Sequence, residues 1–386
     1  MRRGHEGGRL IPVYEPLLKD REKQLLAECI DSGWISSEGP FVREFEERFS
    51  HYIGAQYGVA VCNGTAALET ALYGIGVRKG DEIIMPSFTI ISCALAALRL
   101  GARPVLVDID PDTWNMDTTQ LESKITPKTT VIMPVHIYGL PVDMDPVFEC
   151  ASEHSLKIVE DAAEAHGAEY FSKVAGNRWM KCGNMSDVSC FSFYANKIVT
   201  TGEGGMVVTN DASVAARAAS YRNLCFHPEK RFYHTELCYN FRMTNLQAAV
   251  GVAQLERIEE VIALRRSLVS YYKERLASVP GVRFQAELPF AKPVYWMYAV
   301  QLDEALNVDA ELMMTRLKDK GIGTRPFFLG LHAQPILQKL RVVKDEQFPN
   351  TDRAHQQGLY LPSGLTLTKA KIDVVCDAVR EIVQEG

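Results

Sequence analysis

The chain has 386 residues, 47% hydrophobic and 23% charged, with a formal net charge of −6. That length allows a large core and favours two domains, or one large domain with a smaller appendage, while the lack of an overall basic field sets nucleic acid aside as a partner. Nine cysteines with no C-x-x-C pair are scattered through apolar segments, which leads us to expect reduced thiols, no metal site and a cytoplasmic protein.

The charged start, Met1 to Arg9, leads into no long apolar run, and neither a signal peptide nor a membrane-spanning helix is expected. Apolar spacing over about 17–31 predicts an amphipathic helix stopped at Gly33, and a second helix is expected after Pro40. Short apolar runs at 57–62, 82–85, 104–108, 131–135 and 157–160 then alternate with stretches able to hold helices. Such a pattern reads as parallel strands with crossover helices, covered on both faces. The β-rich runs 188–193 and 206–209 extend this to a mostly parallel, seven-stranded sheet in an α/β fold, and 211–222 reads as another helix.

A boundary is expected near Thr244, giving an N-terminal arm and large domain over 1–245 and a long helix with a smaller α+β domain over 246–386. Thr244-Asn-Leu-Gln247 matches a capping box. Helical spacing after it predicts one helix to about Arg275, roughly 45 Å long. Strands at 282–285 and 295–302 and helices near 310–320 and 369–383 complete the unit.

Ligands of an open parallel sheet sit beyond the carboxyl ends of its strands, and four such ends carry chemistry here. Asn63-Gly64-Thr65 precedes a helix-like stretch and forms either an anion site or a plain turn with a cap. Glu160-Asp161-Ala-Ala163-Glu164-Ala-His166 offers a carboxylate that can hold a proton on a ligand nitrogen or cap a helix, and a histidine. Lys197 lies between Phe191-Ser192-Phe-Tyr and Ile198-Val199, which argues for partial burial, and burial favours the neutral, nucleophilic amine. Gly202, Gly204 and Gly205 then supply a permissive turn. Asn240-Phe-Arg242 suits a phosphate or a carboxylate. An anion cradle, a carboxylate and a lysine together fit pyridoxal phosphate, which needs its phosphate held, its ring nitrogen protonated and its aldehyde condensed with an amine.

Asn63-Gly-Thr-Ala-Ala-Leu, Glu160-Asp-Ala-Ala-Glu-Ala-His-Gly, Ser192-x4-Lys197, Gly202-Glu-Gly-Gly and Tyr239-Asn-Phe-Arg-Met-Thr resemble, in order and spacing, the DegT/DnrJ/StrS family of nucleotide-sugar aminotransferases. Ser32-Gly-Trp-Ile-Ser-Ser, Trp114-Asn-Met-Asp and His136-Ile-Tyr-Gly look most like a branch that aminates C4 of a GDP-linked 4-keto-6-deoxymannose. The resemblance implies an aspartate-aminotransferase-like fold (fold type I), pyridoxal phosphate with a pyridoxamine form during turnover, glutamate as amino donor, and a homodimer with shared sites. It gives Lys197 the covalent link to the cofactor and the proton transfers. Asp161 would face the ring nitrogen, Glu164 the ring hydroxyl, and Gly64, Thr65, Ser192 and the partner's Asn240 the phosphate. Ile90 stands where many members stack an aromatic residue on the ring, with Ala163 on the opposite face. Trp34, Ser36, Arg242, Arg325 and His332 would serve the substrate side. Amination of another dTDP- or UDP-linked 3- or 4-keto sugar, and a non-catalytic cofactor- or sugar-binding regulator, are the alternatives.

Overall fold

The computed structural model describes residues 10–227, 229–343 and 346–385, so the first nine residues of the expected arm lie outside it. Seven strands form the central sheet in the order Tyr57–Val61, Gly205–Thr209, Val188–Ser192, Lys157–Asp161, Thr129–Ile132, Glu82–Pro86 and Arg103–Val107. Gly205–Thr209 runs antiparallel to both neighbours, and the other strands are mutually parallel. The architecture is the mostly parallel α/β sheet expected.

Alternation along each strand divides the apolar side chains between two layers. Ala60, Ile84, Ile132, Ile158, Met206 and Val208 pack on one face with Phe45 and Phe49 of the helix Pro40–Ile53 and Val252 of the helix Asn245–Leu255. Val59, Val61, Ile83, Met85, Val131 and Val159 point the other way, toward Ala67, Ala71 and Leu72 of the helix Gly64–Gly74. Because both faces are covered, these strands appear in sequence as nearly unbroken apolar runs. The first helix spans Asp20–Ser32 and ends on Gly33 in the left-handed region, as the spacing predicts.

Two smaller sheets flank the large one. Val282–Phe284, Tyr298–Leu302, Gly358–Leu361 and Arg325–Pro326 are antiparallel and pack on the helices Ile258–Leu276, Ala310–Asp319 and Lys369–Glu385. Glu169–Ser172, Arg178–Lys181 and Ala291–Lys292 form a third sheet that no apolar run announced.

The structure corrects two expectations. The single long helix is two, Asn245–Leu255 and Ile258–Leu276, interrupted at Glu256-Arg257. Arg257 leaves helical geometry, and its guanidinium reaches the Leu17 carbonyl and, at 2.9 Å, the buried Glu22 carboxylate. The Thr244–Gln247 capping box forms as expected. The thiols are not all free either: Cys225 and Cys238 are joined by a disulfide, their Cα atoms brought to 5.7 Å by the fold of the segment between them. Among the described residues, no helix is long and apolar enough to cross a membrane.

Candidate active site

The carboxyl ends of the parallel strands open into a cavity of about 370 Å³. Each strand delivers its groups from the turn that follows it: Gly64 and Thr65 after Tyr57–Val61, Ile90 after Glu82–Pro86, Ala163 and Glu164 after Lys157–Asp161, and Lys197 after Val188–Ser192. Asp161 and Ser192 are themselves the last residues of their strands.

The first turn of the helix Gly64–Gly74 opens toward the cavity. Asn63 caps the helix by accepting the Ala66 N–H, which leaves the N–H groups before it aimed out of the helix end. A Cβ on Gly64 would lie 2.8 Å from the Ser192 Cβ, so glycine is required for the Ser192 hydroxyl and the helix start to converge. Gly205 is needed in the same way, because a Cβ there would meet the Asn63 carbonyl at 2.4 Å. The Thr65 hydroxyl lies 2.8 Å from that of Ser92.

The lysine segment is held by its own backbone. The Lys197 N–H donates to the Tyr194 carbonyl (2.9 Å), and its carbonyl accepts from the Tyr14 hydroxyl (3.1 Å). Its side chain is 9% exposed, with Nζ 3.8 Å from Glu164 Oε1. Burial drives both groups toward neutrality: it pulls the lysine below its ordinary range and pushes Glu164 up, and their mutual attraction opposes this. The other Glu164 oxygen accepts the Tyr138 N–H at 2.7 Å.

Asp161, 2% exposed, accepts the Ala163 N–H (3.0 Å) on one oxygen and the Cys93 thiol (3.1 Å) on the other. Burial, reinforced by Asp161, raises the Cys93 thiol well above its usual range, keeping it a donor. Glu160, one residue earlier, points to the opposite side of the strand. There His136 and the Gly183 and Met185 N–H groups satisfy it in the core. His166 is buried among Phe49, Phe191 and Phe193, and burial lowers its pKa to about 3.

The cavity thus gathers Gly64, Thr65, Ile90, Asp161, Ala163, Glu164, Ser192 and Lys197. This donor set fits pyridoxal phosphate: a helix-end cradle with a hydroxyl, an enclosed carboxylate and an enclosed amine in one pocket. It does not gather the remaining candidates within one chain. Trp34 is half exposed, while the Trp34 and Ser36 carbonyls bind Asn245. Arg242 donates to the Asn240 side chain on the surface. Arg325 is exposed, and His332 is held by Asp352 (2.9 Å) against Phe348. Sequence reasoning missed Trp296, Phe328 and Tyr360, which reach the cavity from the C-terminal part of the chain. No local pattern marks them, since an aromatic residue in an apolar run reads as core.

The model of the DegT/DnrJ/EryC1/StrS aminotransferase family matches residues 16–380. GDP-perosamine synthase of Caulobacter vibrioides is 41% identical over 374 residues, spanning 97% of this chain and 98% of its own. The enzyme of that name from Escherichia coli O157:H7 is 37% identical over 375 residues, spanning 97% and 99%. The crystal structure of the aminotransferase TlmJ from Streptoalloteichus hindustanus has a TM-score of 0.89 at 29% identity and covers 97% of this chain and 99% of that one. Matched over residues 16–380 in this way, around a cavity that encloses Lys197 beside the start of the helix Gly64–Gly74, the chain belongs to the DegT/DnrJ/EryC1/StrS aminotransferase family.

Proposed function

We propose that this pyridoxal phosphate-dependent aminotransferase moves an amino group from glutamate to C4 of GDP-4-keto-6-deoxymannose. The product, GDP-perosamine, would supply a surface polysaccharide. The reaction takes place in the cytoplasm, on a homodimer whose sites are shared. Residues 1–245 act as the cofactor-binding unit and 246–386 as the smaller unit that bounds the substrate side.

The observation that carries the chemistry is Lys197, enclosed beside Glu164 at the end of a sheet whose neighbouring strand ends supply a phosphate cradle and Asp161. The choice of sugar is supported by the likeness to GDP-perosamine synthases over nearly the whole chain. When bound, the cofactor supplies an electrophilic carbonyl and an electron-withdrawing ring. Gly64, Thr65 and Ser192 would hold its phosphate, Asp161 would keep a proton on its ring nitrogen, and Ile90 and Ala163 would bound the ring by dispersion. Lys197 takes up and returns protons at Nζ, which its burial makes a competent base. Asn240 and Arg242, unused in their own chain's cavity, serve the partner's.

Purified protein incubated with glutamate and GDP-4-keto-6-deoxymannose should yield GDP-perosamine, read by mass spectrometry. The dTDP- and UDP-linked 3- and 4-keto sugars should give far less. Turnover of one of those in preference would overturn the choice of sugar. A protein that binds the cofactor but aminates no keto sugar would sink the catalytic reading.

A further inference from the structure

Lys197 cannot stay attached to the cofactor while an amino group passes through it, so the freed amine needs a place to wait. The structure has such a place. Lys197 Nζ sits 3.7 Å from the centroid of the Trp296 ring, as close to that face as to Glu164. A buried ammonium over an indole face is the strongest form of the cation–π contact.

Trp296 is 4% exposed, and both its ring and its backbone are tied. The indole N–H donates to the carbonyl of Asn196 (2.8 Å), the residue before the lysine, so the ring is tied to the segment it serves. Its backbone N–H donates to the Tyr138 carbonyl (2.8 Å), and the Val294 N–H to the Gly139 carbonyl (3.1 Å). Tyr138 stands at φ 54°, a left-handed conformation that is strained for an aromatic residue and persists where its surroundings enforce it. That conformation turns its N–H to Glu164 (2.7 Å) and its carbonyl to Trp296. One strained turn therefore places both groups that face the amine.

We propose that Trp296 is a positioning residue, the platform on which the Lys197 amine rests whenever it is not joined to the cofactor, with the Tyr138 turn setting the platform beside Glu164. The proposal rests on the reading of Lys197 as the cofactor-bearing residue. The indole face favours the protonated amine against the burial that disfavours it, so a proton is held where the next transfer needs one. The other titratable groups that act on this amine are Glu164, Asp161 and His166.

The test is the pH midpoint of the Lys197 amine, read as carbamylation by cyanate and quantified by mass spectrometry of the residue-197 peptide. It is measured on the full chain loaded with pyridoxamine phosphate, which leaves the lysine free, and on the cofactor-free chain. W296F should keep a midpoint close to wild type. W296L, without a π face, should lower it by about one unit, so that carbamylation near neutral pH runs about tenfold faster. Incorporation of singly to fully fluorinated tryptophan leaves ring shape nearly intact, and it should lower the midpoint stepwise, which keeps the test decisive if W296L does not fold. A W296L midpoint at or above wild type, or a flat fluorination series, overturns the proposal. Failure to bind pyridoxamine phosphate would instead count against the cofactor reading, while the cofactor-free arm still decides whether Trp296 holds the amine.

Discussion

The strand-end cavity and the outer segment from Asn223 to Met243 treat their polar residues in opposite ways. In the cavity, Asp161 and Glu164 are enclosed, each anchored by a backbone N–H, and Lys197 lies within reach of Glu164. In the outer segment, Arg242 and Asn240 bind one another at the surface, and Phe232, Tyr233, Leu237 and Tyr239 are exposed. The contrast is between polar groups enclosed and anchored in a cavity and polar groups that lie at the surface among exposed apolar side chains.

The sharpest way to break the comparison is Lys197→Ala, expected to abolish cofactor attachment and lower amination by on the order of 10³-fold or more, measured by absorbance and product formation. If sites are shared, Arg242→Ala should be nearly inactive as well, yet mixing it with Lys197→Ala should restore activity. Random pairing gives half mixed dimers with one intact site each, or about a quarter of wild-type activity. No recovery on mixing would place Arg242 outside the partner's site.

Inside the cavity, Gly64→Ala forces a methyl against Ser192 and should cost about 1–3 kcal/mol by urea unfolding, together with weaker cofactor binding by equilibrium dialysis. The smallest effect belongs to His166, behind the lysine. An unfolded chain protonates this histidine below about pH 6.5, and the folded one resists down to about 3. In that window the unfolded state binds more protons, so stability falls as pH drops and its contribution is flat above 6.5. Between pH 6.5 and 5 the loss is about 1.6 kcal/mol, and His166→Phe should remove that slope in urea unfolding at the two pH values. An unchanged slope would assign the acid sensitivity elsewhere.

Legibility in the sequence followed the range of the interactions. Strand runs such as 157–160 were readable because a strand covered on both faces needs apolar residues throughout. The sheet of Glu169–Ser172 and Arg178–Lys181 was not, because its strands are short and partly exposed. The helix break at Arg257 was hidden for another reason. Arginine is a good helix former, and what takes it out of the helix is a carbonyl and a carboxylate about 240 residues away in sequence.

The sequence by itself determined the α/β class and the capping box at Thr244, and it singled out Gly64, Asp161, Ser192 and Lys197, which the fold brings to one cavity. Those residues sit at strand ends and turns, where backbone geometry restricts what can be there. The tertiary structure decided that Glu160 belongs to the core and Asp161 to the cavity, since neighbours on a strand face opposite ways. It also decided that Cys225 meets Cys238 and that Trp296 lies under the lysine. Such pairings depend on chain segments distant in sequence packing together, which no local spacing encodes.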